Sequence, residues 1–191
     1  MWYKRLTGDI LAVTGEFGLT GMGYKVLLNG LDAPRALRRS AVDAVYTPRA
    51  RLKEGLAAAK AGGVSACMDS SDGLARSIHY LSEMSKIGFV ISNVPIAKGA
   101  SRFASMHRLD PIDLALYEGG EEYELIMCVK RNCWARVCSA VRAVGGHLYR
   151  IGEAISEKRV YLESDGGHVV EIEPIGWQHF KKWAHRTSRA R

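Results

Sequence analysis

Apolar residues fall along this chain in two rhythms: short unbroken runs, and stretches with one apolar position per helical turn. Polar clusters mark where one gives way to the other. The run Val64 to Met68 stops at Asp69; beyond Ser70-Ser71-Asp72-Gly73, residues Leu74, Ile78, Leu81 and Met84 share one face of a helix. That is a strand, a turn and a helix. Upstream, Ile10 to Val13 reads as a strand and Tyr24 to Leu28 as helical, with a Gly-rich stretch, Thr14 to Gly23, between them. Ala33 to Val42 reads as a short helix with Pro34 near its first turn. Thr47-Pro48 opens another over Arg49 to Ala61, with Thr47 as N-cap and Pro48 at the first helical position. Gly62-Gly63 ends it and leads into Val64 to Met68, which reads as the central strand.

Downstream, Ile87 to Ile91 predicts a strand, Pro95 to Met106 a loop or irregular helix, and Asp110-Pro111 a short helix ending near Tyr117. Leu125 to Val129 is a strongly apolar strand, and Asn132 to Val144 an amphipathic helix closed by Gly145-Gly146. Tyr149 to Ala154 and Arg159 to Leu162 read as strands, and Ser164-Asp165-Gly166-Gly167 as a hairpin turn before a last strand, Val169 to Ile172. Alternating strands and helices followed by a late hairpin predict an α/β (α+β) fold, a mixed β-sheet covered by helices.

Composition changes this picture little. The 191 residues can bury a real core, and 47% hydrophobic with 25% charged residues is a globular balance. A net charge of +7 raises the question of nucleic acid, but basic residues cluster only in the tail from Lys181 to Arg191, with no nucleic-acid signature beside them. That tail reads as a solvated or disordered appendage to a domain over residues 1–180; the diffuse positive field would favour anionic, phosphorylated ligands. Cys67 and Cys128 sit inside apolar strand-like runs as small hydrophobes, and Cys133 and Cys138 flank Trp134 on an expected helix, so neither disulfides nor a zinc site are expected. The N-terminus shows no signal-peptide pattern and no apolar run is long enough to span a bilayer, so the expected place is the cytoplasm.

Three polar stretches are candidates for chemistry. The turn Asp69 to Gly73 carries two carboxylates and two hydroxyls at a helix start. Those groups suit helix capping, or a hard cation such as Mg²⁺ shared with ligand phosphates. The Gly-rich stretch Thr14 to Gly23 could cradle phosphate but fits neither familiar phosphate-loop spacing; tight turning and close helix packing explain its glycines better. The acidic stretch Glu118-Gly119-Gly120-Glu121-Glu122-Tyr123-Glu124 is either an exposed turn or a set of carboxylates matched to a cation or to ligand donors.

Together, Asp-x-Ser-Asp-Gly (Asp69 to Gly73), Gly-Gly-Glu-Glu-Tyr-Glu-Leu (Gly119 to Leu125) and Gly-Trp-Gln-His-Phe (Gly176 to Phe180) resemble the C-terminal part of thiamine-monophosphate kinase. The wider superfamily includes aminoimidazole ribonucleotide synthetase, selenophosphate synthetase and hydrogenase maturation protein E. Gly8 to Gly15 and the stretch Tyr46-Thr47-Pro48-Arg49 fit the same resemblance. It implies an aminoimidazole ribonucleotide synthetase C-terminal-domain-like fold, and ATP- and Mg²⁺-dependent phosphorylation of thiamine monophosphate to thiamine diphosphate. By the same resemblance Asp69 and Asp72 would bind Mg²⁺ and Ser71 would contact ATP phosphates, while Glu121 would contact the thiamine substrate and Trp177 would pack on one of its rings. No residue stands out as a general base. The family pattern also implies an N-terminal domain, supplying further metal- and ATP-binding aspartates and the homodimer contact, that is missing here; this chain alone is then expected to be inactive. Glu122 stands where the family carries Asp, and Ser70 where it carries an aliphatic residue. Other readings are a superfamily relative with a different substrate and a stand-alone ligand-binding module. No membrane or nucleic-acid partner is expected.

Overall fold

The computed structural model describes residues 7–164 and 166–176. Seven strands form one sheet: β1 (Ile10–Val13), β2 (Val64–Asp69), β3 (Gly88–Ile91), β4 (Leu125–Val129), β5 (Tyr149–Ile155), β6 (Val160–Glu163) and β7 (Val169–Glu171). Their order is β2-β4-β1-β5-β3-β6-β7, antiparallel throughout except for the parallel pair β3/β6. The mixed sheet expected from the sequence is present. Among the described residues seven α-helices accompany it: α1 (Leu19–Leu28), α2 (Arg35–Tyr46), α3 (Leu52–Ala61), α4 (Leu74–Ser85), α5 (Lys98–His107), α6 (Pro111–Leu116) and α7 (Trp134–Ala143).

The alternation within β4 shows how the helices are arranged. Ile126 and Cys128 join a core built with Leu74, Ala75 and Ile78 of α4, whereas Met127 and Val129 join Ala58 of α3 and Val137 and Val141 of α7. Side chains of successive strand residues point to opposite faces, so helices cover β4 on both sides. A third cluster, with Met22, Val26, Ala41 and Phe103, holds α1, α2, α5 and α6 together beside the sheet. Among the described residues no helix is long and apolar enough to cross a membrane.

Four expectations are corrected. Among the described residues β2 is an edge strand paired only with β4, and the strand buried along its whole length is β1, with β4 beside it buried at all but its first residue; Ser65, Ala66 and Cys67 give β2 too little apolar bulk for the middle. Cys67 is accordingly exposed, while Cys128 on β4 is buried. Thr47 does not open α3: it closes α2, its hydroxyl donating to the Asp43 carbonyl, and α3 starts at Leu52 behind Arg51. The stretch after Pro95 contains a regular helix, α5, because Ala100, Phe103 and Ala104 bury one of its faces.

The glycines of α1 serve close packing. A Cβ at Gly23 would lie 2.5 Å from Val45 Cγ2 and 2.7 Å from the Ala41 carbonyl, so α2 rests directly on the α1 backbone.

Candidate active site

The turn after β2 and the loop before β4 are a single interlocked structure. Asp69 ends β2 opposite Leu125. The Ser70 N–H donates to the Glu124 carbonyl at 2.9 Å, and the Glu124 N–H donates back to Ser70 Oγ at 3.1 Å. One residue on, the Glu121 N–H donates to the Ser71 carbonyl at 2.8 Å. Gly73 completes the fit: its φ is 92°, and a Cβ there would approach the Gly119 carbonyl to 2.7 Å. Only glycine combines that backbone angle with that approach.

Ser70 is therefore not a helix cap, and neither is any neighbour. The residue before α4 is Gly73, and no side chain caps the helix. The first N–H groups of α4 keep their polarity for an anion, next to a turn whose Asp69, Ser71 and Asp72 are all partly exposed. Among the described residues, neither the Asp69 nor the Asp72 carboxylate accepts a hydrogen bond or joins an ion pair.

The acidic loop is in the opposite condition. Glu118 pairs with Lys25 Nζ at 2.8 Å. Gly120 N–H donates to Thr20 Oγ1 at 3.3 Å, and the Tyr24 hydroxyl donates to Glu121 Oε2 at 3.2 Å. Glu122 Oε1 accepts the Gly18 N–H at 2.9 Å, at the start of α1. The loop is stitched residue by residue along the Gly-rich turn and α1, which decides against an exposed acidic turn. It also removes the phosphate-cradle reading of that turn, because the chain's own carboxyl takes its N–H.

Burial pushes the Glu122 carboxyl up to about 8, the nearby Glu124 charge adding to the rise and the Gly18 N–H and Thr20 opposing it. The Tyr24 phenol is pushed up to about 12, first by burial and then by the charge and hydrogen bond of Glu121. Glu121 and Tyr123 both hold left-handed backbone angles, with φ of 56° and 54°. Two such non-glycine residues in one loop are a strained arrangement of the kind that clusters at functional sites.

Sequence reasoning placed Glu124 in the acidic cluster but missed its partner, Arg51. Arg51 Nε donates to Glu124 Oε2 at 2.8 Å and its Nη2 to Oε1 at 2.5 Å; Thr14 Oγ1 adds a bond to Oε2 at 2.7 Å. A buried carboxylate needs a matched cation, and the only sequence hint was a second arginine shortly after Pro48. Asp9, in the same early stretch as Thr14, belongs to the sheet: it is buried and accepts the Ser65 hydroxyl at 2.5 Å, burial raising its pKa.

The structure thus brings Asp69, Ser71, Asp72 and Glu121 onto one pair of fused turns. Trp177 and the basic tail lie outside the described residues, but Gly176 packs against the Asp72 carbonyl and the Arg76 side chain. No cluster of three or more acidic, histidine or cysteine ligands exists among the described residues. Two uncommitted carboxylates on one turn nevertheless suit Mg²⁺, which is commonly held by one or two carboxylates with phosphate and water making up the rest.

Comparison with known proteins matches residues 7–165 to the family described as AIR synthase related protein, C-terminal domain. A thiamine-monophosphate kinase of Nitrosopumilus maritimus is 30% identical over 173 residues, 91% of this chain and 54% of that protein. The thiamine-monophosphate kinase of Leptospira interrogans is 32% identical over 175 residues, 91% of this chain and 53% of its own length. The chain spans about half the length of the curated relatives it matches. Among solved structures, one described as AaThiL complexed with AMPPCP and TMP superposes with a TM-score of 0.75 at 24% identity, over 91% of this chain and 52% of that one.

Proposed function

Because the chain belongs to the family of AIR synthase related proteins, C-terminal domain, we propose that it is the C-terminal domain of an ATP- and Mg²⁺-dependent cytoplasmic kinase converting thiamine monophosphate to thiamine diphosphate. The observation that carries the reading is the contrast between the two fused turns. Every carboxylate of the loop Glu118 to Glu124 has a protein partner, whereas Asp69 and Asp72 have none among the described residues. Carboxylates left unpaired beside an uncapped helix start suit a metal–phosphate ligand.

Asp69 and Asp72 would hold Mg²⁺, and Ser71 with the first N–H groups of α4 would face the phosphates of ATP. Bound there, Mg²⁺ supplies neutralisation of phosphate charge. Phosphoryl transfer depends chiefly on positioning and charge stabilisation, so the absence of a nominated general base is no obstacle when the attacking group is itself a phosphate oxygen. Glu121, exposed and braced by Tyr24, would meet the cationic heteroaromatic part of thiamine, and Trp177 would stack on it. The names of the relatives at 30% and 32% identity support this substrate over others in the superfamily. On this reading the missing half of the site comes from an N-terminal domain of the same protein, the full-length enzyme is a homodimer, and this chain alone turns over negligibly.

The test is ADP release by the full-length protein with ATP, Mg²⁺ and thiamine monophosphate, beside Asp72→Asn. Release that requires thiamine monophosphate and collapses in the variant supports the reading. A well-folded full-length protein that releases no ADP with thiamine monophosphate overturns it.

A further inference from the structure

Glu124 faces two ways. Its main chain is tied to Ser70 at both N–H and carbonyl, so its position and that of the turn bearing Asp69 and Asp72 are one quantity. Its carboxylate is buried and held by Arg51 through two bonds and by Thr14 through one. The fit leaves no spare space: a Cβ at Gly15 would fall within the Glu124 carboxylate. Thr14 Oγ1 also accepts the Leu125 N–H at 2.8 Å, so the end of β1 is tied to the same point of β4. Arg51 reaches this point from the start of α3, and its Nη1 is anchored in turn by Glu54 Oε1 at 3.4 Å.

Four distant segments therefore meet at one residue, β1 and α3 at its carboxylate and the β2 turn at its main chain. Among the described residues β2 is an edge strand held by β4 alone, so main-chain pairing there supports its end from one side. We propose that Arg51, Thr14 and Glu124 form a positioning clamp that sets the Asp69–Asp72 turn against the Gly119–Tyr123 loop for metal–phosphate binding. The clamp rests on the reading of Asp69 and Asp72 as metal ligands. None of its three members touches the ligand. A bidentate guanidinium fixes a carboxylate in direction as well as distance, which the point charge of a lysine cannot do.

The experiment compares wild type with Arg51→Lys, Thr14→Val and the charge-neutral double variant Arg51→Gln/Glu124→Gln, the last included in case Arg51→Lys fails to fold. Four quantities are read on the full-length protein: Mn²⁺ affinity in the presence of ATP, by electron paramagnetic resonance; the Mg²⁺ concentration giving half-maximal ADP release; the KM for thiamine monophosphate; and the melting temperature. A clamp predicts that Arg51→Lys weakens Mn²⁺ binding and raises the Mg²⁺ requirement by at least about tenfold, with the KM for thiamine monophosphate changed less than about twofold. Thr14→Val gives a smaller shift in the same direction, and the double variant loses metal affinity even where its melting temperature is restored. Folded variants that lose melting temperature while both metal readouts stay within about twofold would make the triad a purely structural contact and overturn the clamp. If wild type binds Mn²⁺–ATP but turns over no thiamine monophosphate, and the variants still lose Mn²⁺, the substrate reading falls and the clamp stands. A wild type that binds no Mn²⁺ overturns both.

Discussion

The Glu122 carboxyl sits at 2.9 Å from the Gly18 N–H, so the positive end of helix α1 is occupied by an acid of the same chain. That acid is buried, and its folded pKa of about 8 lies well above the 4.5 of an ordinary glutamate. The folded state therefore holds a proton that the unfolded chain releases, and stability must fall as pH rises between those two values. The full contribution is present below the unfolded value and is gone above the folded one. Wild type should lose a few kcal/mol across this window, while Glu122→Gln, which keeps an acceptor for Gly18 but cannot ionise, should lose much less and be the more stable protein at pH 9. Urea unfolding of both proteins at several pH values measures this directly.

Among the described residues, the Asp69 and Asp72 carboxylates make no bond whose loss could weaken the fold. Asp69→Asn and Asp72→Asn should change stability by no more than about 0.5 kcal/mol while reducing phosphoryl transfer at least about a hundredfold. Paired thermal melts and ADP-release assays on the full-length protein test this. A large fall in melting temperature would show that these carboxylates support structure instead.

At Gly15 the carboxylate of Glu124 occupies the space a side chain would need. Gly15→Ala should destabilise by about 1–3 kcal/mol, as overpacking does in a filled interior. The loss should shrink when Glu124→Ala is combined with it, a non-additivity read from chemical denaturation of the single and double variants.

The Tyr24 phenol, pushed up to about 12, owes part of that rise to Glu121. Alkaline absorbance titration, with Tyr24→Phe subtracted to isolate this tyrosine, should place its ionisation lower in Glu121→Gln than in wild type. It should still lie above the ordinary 10.0, because burial is the larger cause. An unchanged titration would mean that the two side chains are not in contact.

The sequence disclosed what local chemistry controls. The apolar runs around Ile10, Val64 and Leu125 each appear as strands because polar clusters stop them, and the unbroken apolar run of β4 is buried between two helical layers. It failed where a distant partner overrides a local signal. Thr47-Pro48 has the form of a helix start, but no helix begins until Leu52, behind Arg51, whose side chain pairs with a carboxylate 73 positions away. Ser70 has the form of an N-cap, but its hydroxyl is taken by the Glu124 N–H across the sheet. The acids of Glu118 to Glu124 were legible as a cluster, yet which were committed and which were open depended on Lys25, Tyr24, Gly18 and Arg51, contributed by three other segments.

The left-handed backbone at Glu121 sets two kinds of selection against each other. Replacement by glycine would relieve about 1 kcal/mol of conformational cost and delete the carboxylate that meets Tyr24. A lineage kept under demand for the side chain retains the strained residue; a copy released from that demand gains by losing it. Glycine at 121, arising while the core of β1 and β4 is still intact, would then be an early mark of a gene drifting away from its task.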